Sequence, residues 1–301
     1  MRFTKLHGYG NDYLVVEADE LGGVLSSFGE FAPLGGAPTE VGQLSRLVRA
    51  VCDRHHGAGA DGVAVVEPTA GGGADFRLRI FNPDGSEAAM SGNGSRCAVA
   101  YLYFRGLWAK DELRLGTRAG IKSFTLRERT GRGRFRFAAE IGQPAFESDA
   151  IPMRTDEHLP LVRGYQLPLE GVETVEVTAL QMCNPNCCVF VEDLEAVDWR
   201  RLGRLIEPHE QFPERTNVEF IRVLGRGEIE ARVWERGAGE TLSSGTGASA
   251  AAVASIVNEL TDRQVRVRMP GGLLEVEWRE DGEVVLTGDA EVVYSGVWLK
   301  E

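Results

Sequence analysis

Two four-residue segments 153 residues apart, Ser91-Gly-Asn-Gly94 and Ser244-Gly-Thr-Gly247, follow one pattern, and each opens a run that is nearly free of charge, Cys97–Phe104 and Ala248–Val257. Serine followed by small residues is a natural helix start, and a helix apolar on every side belongs inside a domain. Half the chain separates the two, which points to an internal duplication. The expected architecture is α+β: two pseudo-symmetric domains, each a curved, mainly antiparallel sheet wrapped around a central helix, with the two helix N-termini facing a shared cleft. The domains are placed at residues 1–140 plus 288–301 and at residues 141–287.

Glycine makes up 37 of 301 residues, about 12% against a typical ~7%, and is scattered in short loops, so many tight turns are expected. Alternating or β-branched runs bounded by Gly, Pro or Asp predict strands at Tyr13–Glu17, Val63–Glu67, Phe76–Phe81, Phe135–Ala139, Val172–Thr178, Cys187–Glu192, Val218–Val223, Glu228–Trp234, Val265–Met269, Leu273–Trp278 and Glu283–Leu286. Helical periodicity predicts Val41–Cys52, Gly94–Arg105, Trp199–Glu207 and Gly247–Glu259.

Acidic residues outnumber basic ones 45 to 33, which gives a polyanion no long-range attraction and argues against nucleic acid as a partner. The start, MRFTKLHGYGNDYLVVE, carries no basic segment followed by an apolar core, and no stretch is apolar for the ~20 residues of a membrane span. A cytoplasmic protein without a membrane partner is the expectation. Five cysteines, an odd count without framework spacing, are expected as reduced thiols. The five histidines lack metal-ligand spacing, so no metal is expected.

A pair of helix N-termini with glycine at the turn suits an anion, since the first N–H groups of a helix are unsatisfied and carry partial positive charge. No G-x-x-x-x-G-K-[ST] phosphate loop is present, and Gly57-Ala-Gly-Ala-Asp-Gly62 follows a helix and precedes a strand, the reverse of a dinucleotide site. A carboxylate-bearing metabolite fits better. Asn11, Asn82, Asn93, Asn184, Asn217 and the pair Glu235-Arg236 supply groups for an amino-acid zwitterion, although asparagines beside Pro and Gly also serve simply as turn residues.

The same segments resemble the diaminopimelate epimerases nearly end to end: Lys5–Asp12, Arg54–Gly62, Phe81–Glu87, Ser91–Arg96, Asn184-Pro185, Phe212–Asn217, Glu235–Thr241, Ser244–Gly247 and Pro270–Gly272. The resemblance implies a cofactor-independent homodimeric isomerase that interconverts LL- and meso-diaminopimelate for lysine and peptidoglycan precursors. It also implies that Asn11, Asn82, Asn184, Asn217, Glu235 and Arg236 hold the polar ends of the substrate, and that the backbone of Gly92, Asn93, Gly245 and Thr246 holds a carboxylate. The chain departs from the family at the acid/base positions, where two cysteines are replaced by Ser91 and Ser244, and Asn186 stands where histidine is common. A serine hydroxyl ionises ~4–5 pH units above a thiol, which adds roughly 6 kcal/mol to deprotonation, or ~10⁴–10⁵ in rate. Three readings follow: cysteines exchanged for serine in the laboratory; a natural isomerase of diaminopimelate or another amino acid, slow or assisted by a base such as Glu235; and a carboxylate-binding protein without turnover.

Overall fold

The computed structural model describes residues 1–25, 38–69, 71–171 and 174–299. The chain divides into two compact units, Met1–Ala139 with Asp289–Glu301, and Glu140–Gly288.

The first unit contains strands β1 (Arg2–Gly8), β2 (Asn11–Glu17), β3 (Gly62–Pro68), β4 (Phe76–Phe81), β5 (Glu87–Ala88), β6 (Glu112–Thr117), β7 (Gly120–Thr130) and most of β8 (Arg134–Gly142), with helices α1 (Pro38–Cys52) and α2 (Gly92–Phe104). Neighbours pair antiparallel at β1–β2, β3–β4, β4–β5, β6–β7 and β7–β8. β2–β3 and β4–β6 pair parallel, and those two crossovers carry α1 and α2, as parallel pairing requires a long return path.

The second unit contains β9 (Tyr165–Leu167), β10 (Val175–Gln181), β11 (Pro185–Phe190), β12 (Asn217–Gly225), β13 (Glu228–Glu235), β14 (Gly239–Thr241), β15 (Gln264–Met269), β16 (Gly272–Trp278) and the start of β17 (Val284–Val297), with α3 (Trp199–Ile206) and α4 (Gly245–Val257). Its pairings repeat the first unit's order: β10–β11, β12–β13, β13–β14, β15–β16 and β16–β17 antiparallel, β11–β12 and β13–β15 parallel. Here α3 and α4 occupy the two crossovers. The later part of β17 returns to the first unit and pairs with β1, Arg2 opposite Val297.

Each sheet closes on its second helix for a compositional reason. The residues Cys97–Tyr103 of α2 are all buried, in one cluster with Leu6, Val15, Ala64, Leu78, Leu115, Phe124, Phe135, Phe137 and Ala290, side chains drawn from strands all round the unit. Helix α4 is built largely of alanine, packs on β10, β11, β12, β13, β15 and β16, and has Ala248, Ala250, Ala251, Ala252, Val253 and Ala254 fully buried. Alanine combines high helix propensity with a thin profile, so the surrounding strands approach closely. Its two buried hydroxyls are satisfied inside the helix, Ser249 donating to the Gly245 carbonyl at 2.9 Å and Ser255 to that of Ala251 at 2.7 Å. The first crossover helices cover the opposite face: Leu44, Val48 and Val51 of α1 pack with Leu14, Val16, Val63 and Val65.

Each expected helix is present, with ends that coincide or shift by up to three residues. Strands β1, β5, β6, β7, β9 and β14 and the long extension of β17 were not predicted. β5 and β14 are too short to show a period, and β7 buries only Phe124, so its alternation is masked by Lys, Ser, Thr and Arg. Of the expected strand Val172–Thr178, the first two positions lie outside the described residues.

The β1–β2 corner is fixed by an ionic network. Asp12, buried, meets Lys5 Nζ at 2.7 Å and Arg54 Nη2 at 2.9 Å, and Arg54 Nη2 also reaches Asp61 Oδ1 at 2.6 Å. The Asp61 amide donates to Asp12 Oδ1 at 2.9 Å, and the Asp12 amide returns a bond to Asp61 Oδ2 at 3.0 Å. Burial opposes the charge on Asp12, but the bonds from Arg54 and Lys5 outweigh it and hold the carboxyl at about 2. A depressed carboxylate contributes stability above its unfolded pKa of ~3.9 and loses it as pH falls toward the folded value, here roughly 2 kcal/mol. Urea midpoints should therefore drop between pH 5 and pH 2.5, and drop less in Asp12→Asn; equal pH dependence in the two proteins would contradict this assignment.

Candidate active site

In the first unit, the end of β5 leads into Ser91, whose extended backbone (φ −138°, ψ 125°) caps α2. Its Oγ accepts the Gly94 amide at 3.1 Å and the Tyr13 hydroxyl at 2.9 Å. Two donors on one oxygen lower the cost of negative charge there. Tyr13 reaches this position because two glycines make room for its ring: a Cβ on Gly62 would lie 2.6 Å from Tyr13 Cε1, and one on Gly94 3.0 Å from the same atom.

The amides of Gly92 and Asn93 find no acceptor among the described residues, and a Cβ at Gly92 would meet nothing within 4 Å. This turn therefore offers open N–H groups at the positive end of a helix. Asn93 is buried, and its side-chain oxygen accepts from Arg96 Nη2. Asn11 donates its carboxamide to Asp61 Oδ2 at 2.9 Å. The Asn82 carboxamide bonds Ser86 Oγ at 3.0 Å within its own Asn-Pro-Asp-Gly turn, where Gly85 takes the left-handed conformation the turn needs (φ +80°).

The second unit builds the same cap from other residues. Ser244 (φ −128°, ψ 126°) precedes α4, and its Oγ accepts the Gly247 amide at 3.2 Å. The amides of Gly245 and Thr246 again find no acceptor among the described residues. Where Ser91 has a tyrosine, Ser244 has a carboxyl: Glu235, at the end of β13, hydrogen-bonds the Ser244 side chain. Burial raises the Glu235 pKa above the usual carboxylate range, and the bond from Ser244 only partly offsets it.

Beneath this pair lies Glu219, fully buried on β12. Its Oε2 is 3.7 Å from Cys188 Sγ, and its Oε1 has no hydrogen-bond partner. A Cβ placed on Gly247 would be 3.2 Å from that Oε1 and 3.2 Å from Ser244 Oγ, so a side chain there would crowd both. Burial, reinforced by the charge of Glu235, pushes the Glu219 carboxyl well up. Burial thus raises both carboxyls, Glu219 more strongly than Glu235.

Asn184, Asn186 and Asn217 form one cluster. Asn217 Nδ2 donates to Asn184 Oδ1 and to Asn186 Oδ1, each at 3.2 Å, and its Oδ1 accepts the Arg236 amide at 2.9 Å. Arg236 itself is exposed and donates to the Glu214 carbonyl at 2.9 Å. The second unit thus gathers Asn184, Asn217, Glu235, Arg236, Ser244, Gly245 and Thr246 on adjoining strand ends and one helix start. In the first unit Ser91, Gly92 and Asn93 share a turn, while Asn11 and Asn82 each bond elsewhere.

Sequence reasoning passed over Tyr13, Arg96 and Glu219. Tyr13 and Glu219 sit inside strands buried on both faces, where a polar residue is no longer marked by alternation. Arg96 is the lone charge in an apolar helix, the signal that could have singled it out. Among the described residues no three His, Cys, Asp or Glu side chains gather to hold a metal ion, and no helix is long and apolar enough to cross a membrane.

The sequence pattern of the family described as "Diaminopimelate epimerase" matches residues 3–145 and 178–293. The diaminopimelate epimerase of Pelotomaculum thermopropionicum is 44% identical over 297 residues, covering 98% of each chain; that of Desulforudis audaxviator is 44% identical over 301 residues, covering 100% of each. Among solved structures, a hydroxyproline epimerase from Agrobacterium vitis superposes with a TM-score of 0.65 at 19% identity, covering 98% of this chain and 90% of that one. A phenazine biosynthesis protein of the PhzF family from Bacillus anthracis superposes with a TM-score of 0.65 at 17% identity, covering 100% and 99%. At those identities the structures establish the shared fold. Sequence identity over the whole length, the repeated pairing order and the twin serine-capped helices agree: the chain belongs to the diaminopimelate epimerase family.

Proposed function

We propose that this chain is a cofactor-independent epimerase that interconverts LL- and meso-diaminopimelate. The observation that carries the reading is the repeated helix start, a capping hydroxyl followed by two amides without acceptors, found once in each unit. A substrate carboxylate on the amides of Gly92, Asn93, Gly245 and Thr246 gains most when the α-proton leaves, because negative charge then builds on its oxygens and the donors are already aimed. Asn11, Asn82, Asn184, Asn217, Glu235 and Arg236 serve the ammonium and the remaining polar groups.

Inversion at carbon needs one group to take the α-proton and another to return one, and a hydroxyl from each unit fills these roles. In one direction Ser244 Oγ takes the α-proton while its own proton passes to the Glu235 carboxylate, so no free alkoxide forms. Ser91 gives its proton to the carbanion while the Tyr13 hydroxyl passes its own proton to Ser91 Oγ, and exchange with water returns Tyr13 to its phenol and Glu235 to its carboxylate before the next turnover. The reverse direction runs the same transfers backward. Serine remains a far weaker acid than the thiols of the family, and that same observation favours a second reading, binding of the amino acid without turnover. A cytoplasmic homodimer belongs to the proposal as well; Val293, Tyr294, Val297 and Leu299 are exposed near the C-terminal end and supply an apolar surface for a second copy.

Incubation with meso-diaminopimelate in D₂O, followed by NMR, should show slow deuterium incorporation at the α-carbon, and Ser91→Cys with Ser244→Cys together should raise the rate by ~10⁴ or more. Binding with no exchange in the unsubstituted protein but exchange in the double variant would establish the binding-only reading. No exchange in either would overturn diaminopimelate as the substrate.

Because Glu235 must be ionised to accept the proton, the rate should fall on acidification through a pH above the ordinary carboxylate range. Glu235→Gln should lower the rate ~10²-fold or more and flatten that limb; an unchanged limb would remove Glu235 from the proton path.

A further inference from the structure

Arg96 occupies the first turns of α2 and is almost wholly buried, with 3% of its surface exposed. No carboxylate pairs with it among the ion pairs of the described residues, its Nε has no hydrogen-bond partner, and it lies at the helix end that already carries partial positive charge. Burial drives its pKa down, and the nearest compensation comes from the Tyr9 ring, 5.4 Å from the guanidinium carbon. Such a placement is costly unless something negative arrives. Its one directed side-chain bond goes from Nη2 to Asn93 Oδ1.

A guanidinium can only donate, so this bond fixes which end of the Asn93 carboxamide faces it. The oxygen is turned inward and the NH₂ is left over. Asn93 is 7% exposed, and its Nδ2 has no partner among the described residues. The turn that carries the open amides of Gly92 and Asn93 therefore also carries an oriented, unspent side-chain donor, with a buried cation behind it.

We propose that Arg96 is a positioning residue that locks the Asn93 carboxamide donor-outward, making it a third donor to the substrate carboxylate. The inference rests on the carboxylate-binding role proposed above for this turn. A gap at Gly8, where a Cβ would come within 3.3 Å of both Arg96 Nη2 and Asn93 Oδ1, keeps the pair accessible to each other.

The test is a substitution cycle of Arg96→Met and Asn93→Ala, read as meso-diaminopimelate affinity by calorimetry, with thermal melting to verify folding. Each single change should weaken binding about 10-fold to 100-fold, the range of a hydrogen bond to a charged group. The double variant should bind no more weakly than the worse single one, since Arg96 acts only through Asn93. Arg96→Lys, which keeps a donor, should recover part of the loss. Effects that multiply in the double variant, or wild-type affinity in Arg96→Met, would overturn the proposal. If the unsubstituted protein binds no diaminopimelate, the functional reading fails and the positioning claim is decided without ligand: ¹⁵N relaxation should show the Asn93 carboxamide immobile in the unsubstituted protein and mobile in Arg96→Met, and equal order in both would refute it.

Discussion

A side-chain hydroxyl accepting one backbone amide organises both candidate half-sites. When Ser91 takes the Gly94 amide and Ser244 takes that of Gly247, one orphan donor of each helix start is satisfied and the two preceding amides are left without an acceptor among the described residues. A helix begun by an apolar residue would lack the cap and lose about 1 kcal/mol. A bulky residue after the Ser91 cap would fill the approach that Gly92 leaves open, and one after Ser244 would crowd Leu286. Stability of the helix and availability of donors thus arise from one local geometry, and the apolar body of each helix, sealed inside its sheet, holds that geometry rigid.

The two half-sites share this frame but differ in what stands behind it. Ser91 is backed by a tyrosine hydroxyl and, one turn along, the buried Arg96. Ser244 is backed by Glu235 and, more deeply, by Glu219, whose carboxyl is pushed well up by burial. The duplicated backbone thus carries divergent side chains: donors surround one oxygen and favour its negative form, and a carboxylate beside the other favours removal of its proton.

The architecture was legible because the duplicated helices break the usual rule for surface helices, being apolar on every side, and because the strands around them bury β-branched runs such as Val63–Val66 and Val218–Ile221. The paired loops were legible from Ser-Gly-x-Gly alone. The polar groups hidden behind them were not. Glu219 looks like the solvent-facing member of Asn-Val-Glu-Phe-Ile, and only burial of β12 on both faces shows otherwise. Asn82 reads equally as a ligand group or as a turn residue, and in the structure its carboxamide bonds Ser86 within that turn. Asn184 and Asn217, 33 positions apart, meet because β11 and β12 pair in parallel, a juxtaposition that no local pattern encodes.

The claim that the open amides at the two helix starts receive the amino acid's carboxylate is tested most directly by ¹⁵N NMR titration of the unsubstituted protein with meso-diaminopimelate. The amides of Gly92, Asn93, Gly245 and Thr246 should shift downfield along a single shared binding curve. Saturable shifts that leave these four amides unmoved, or separate curves for the two pairs, would contradict it.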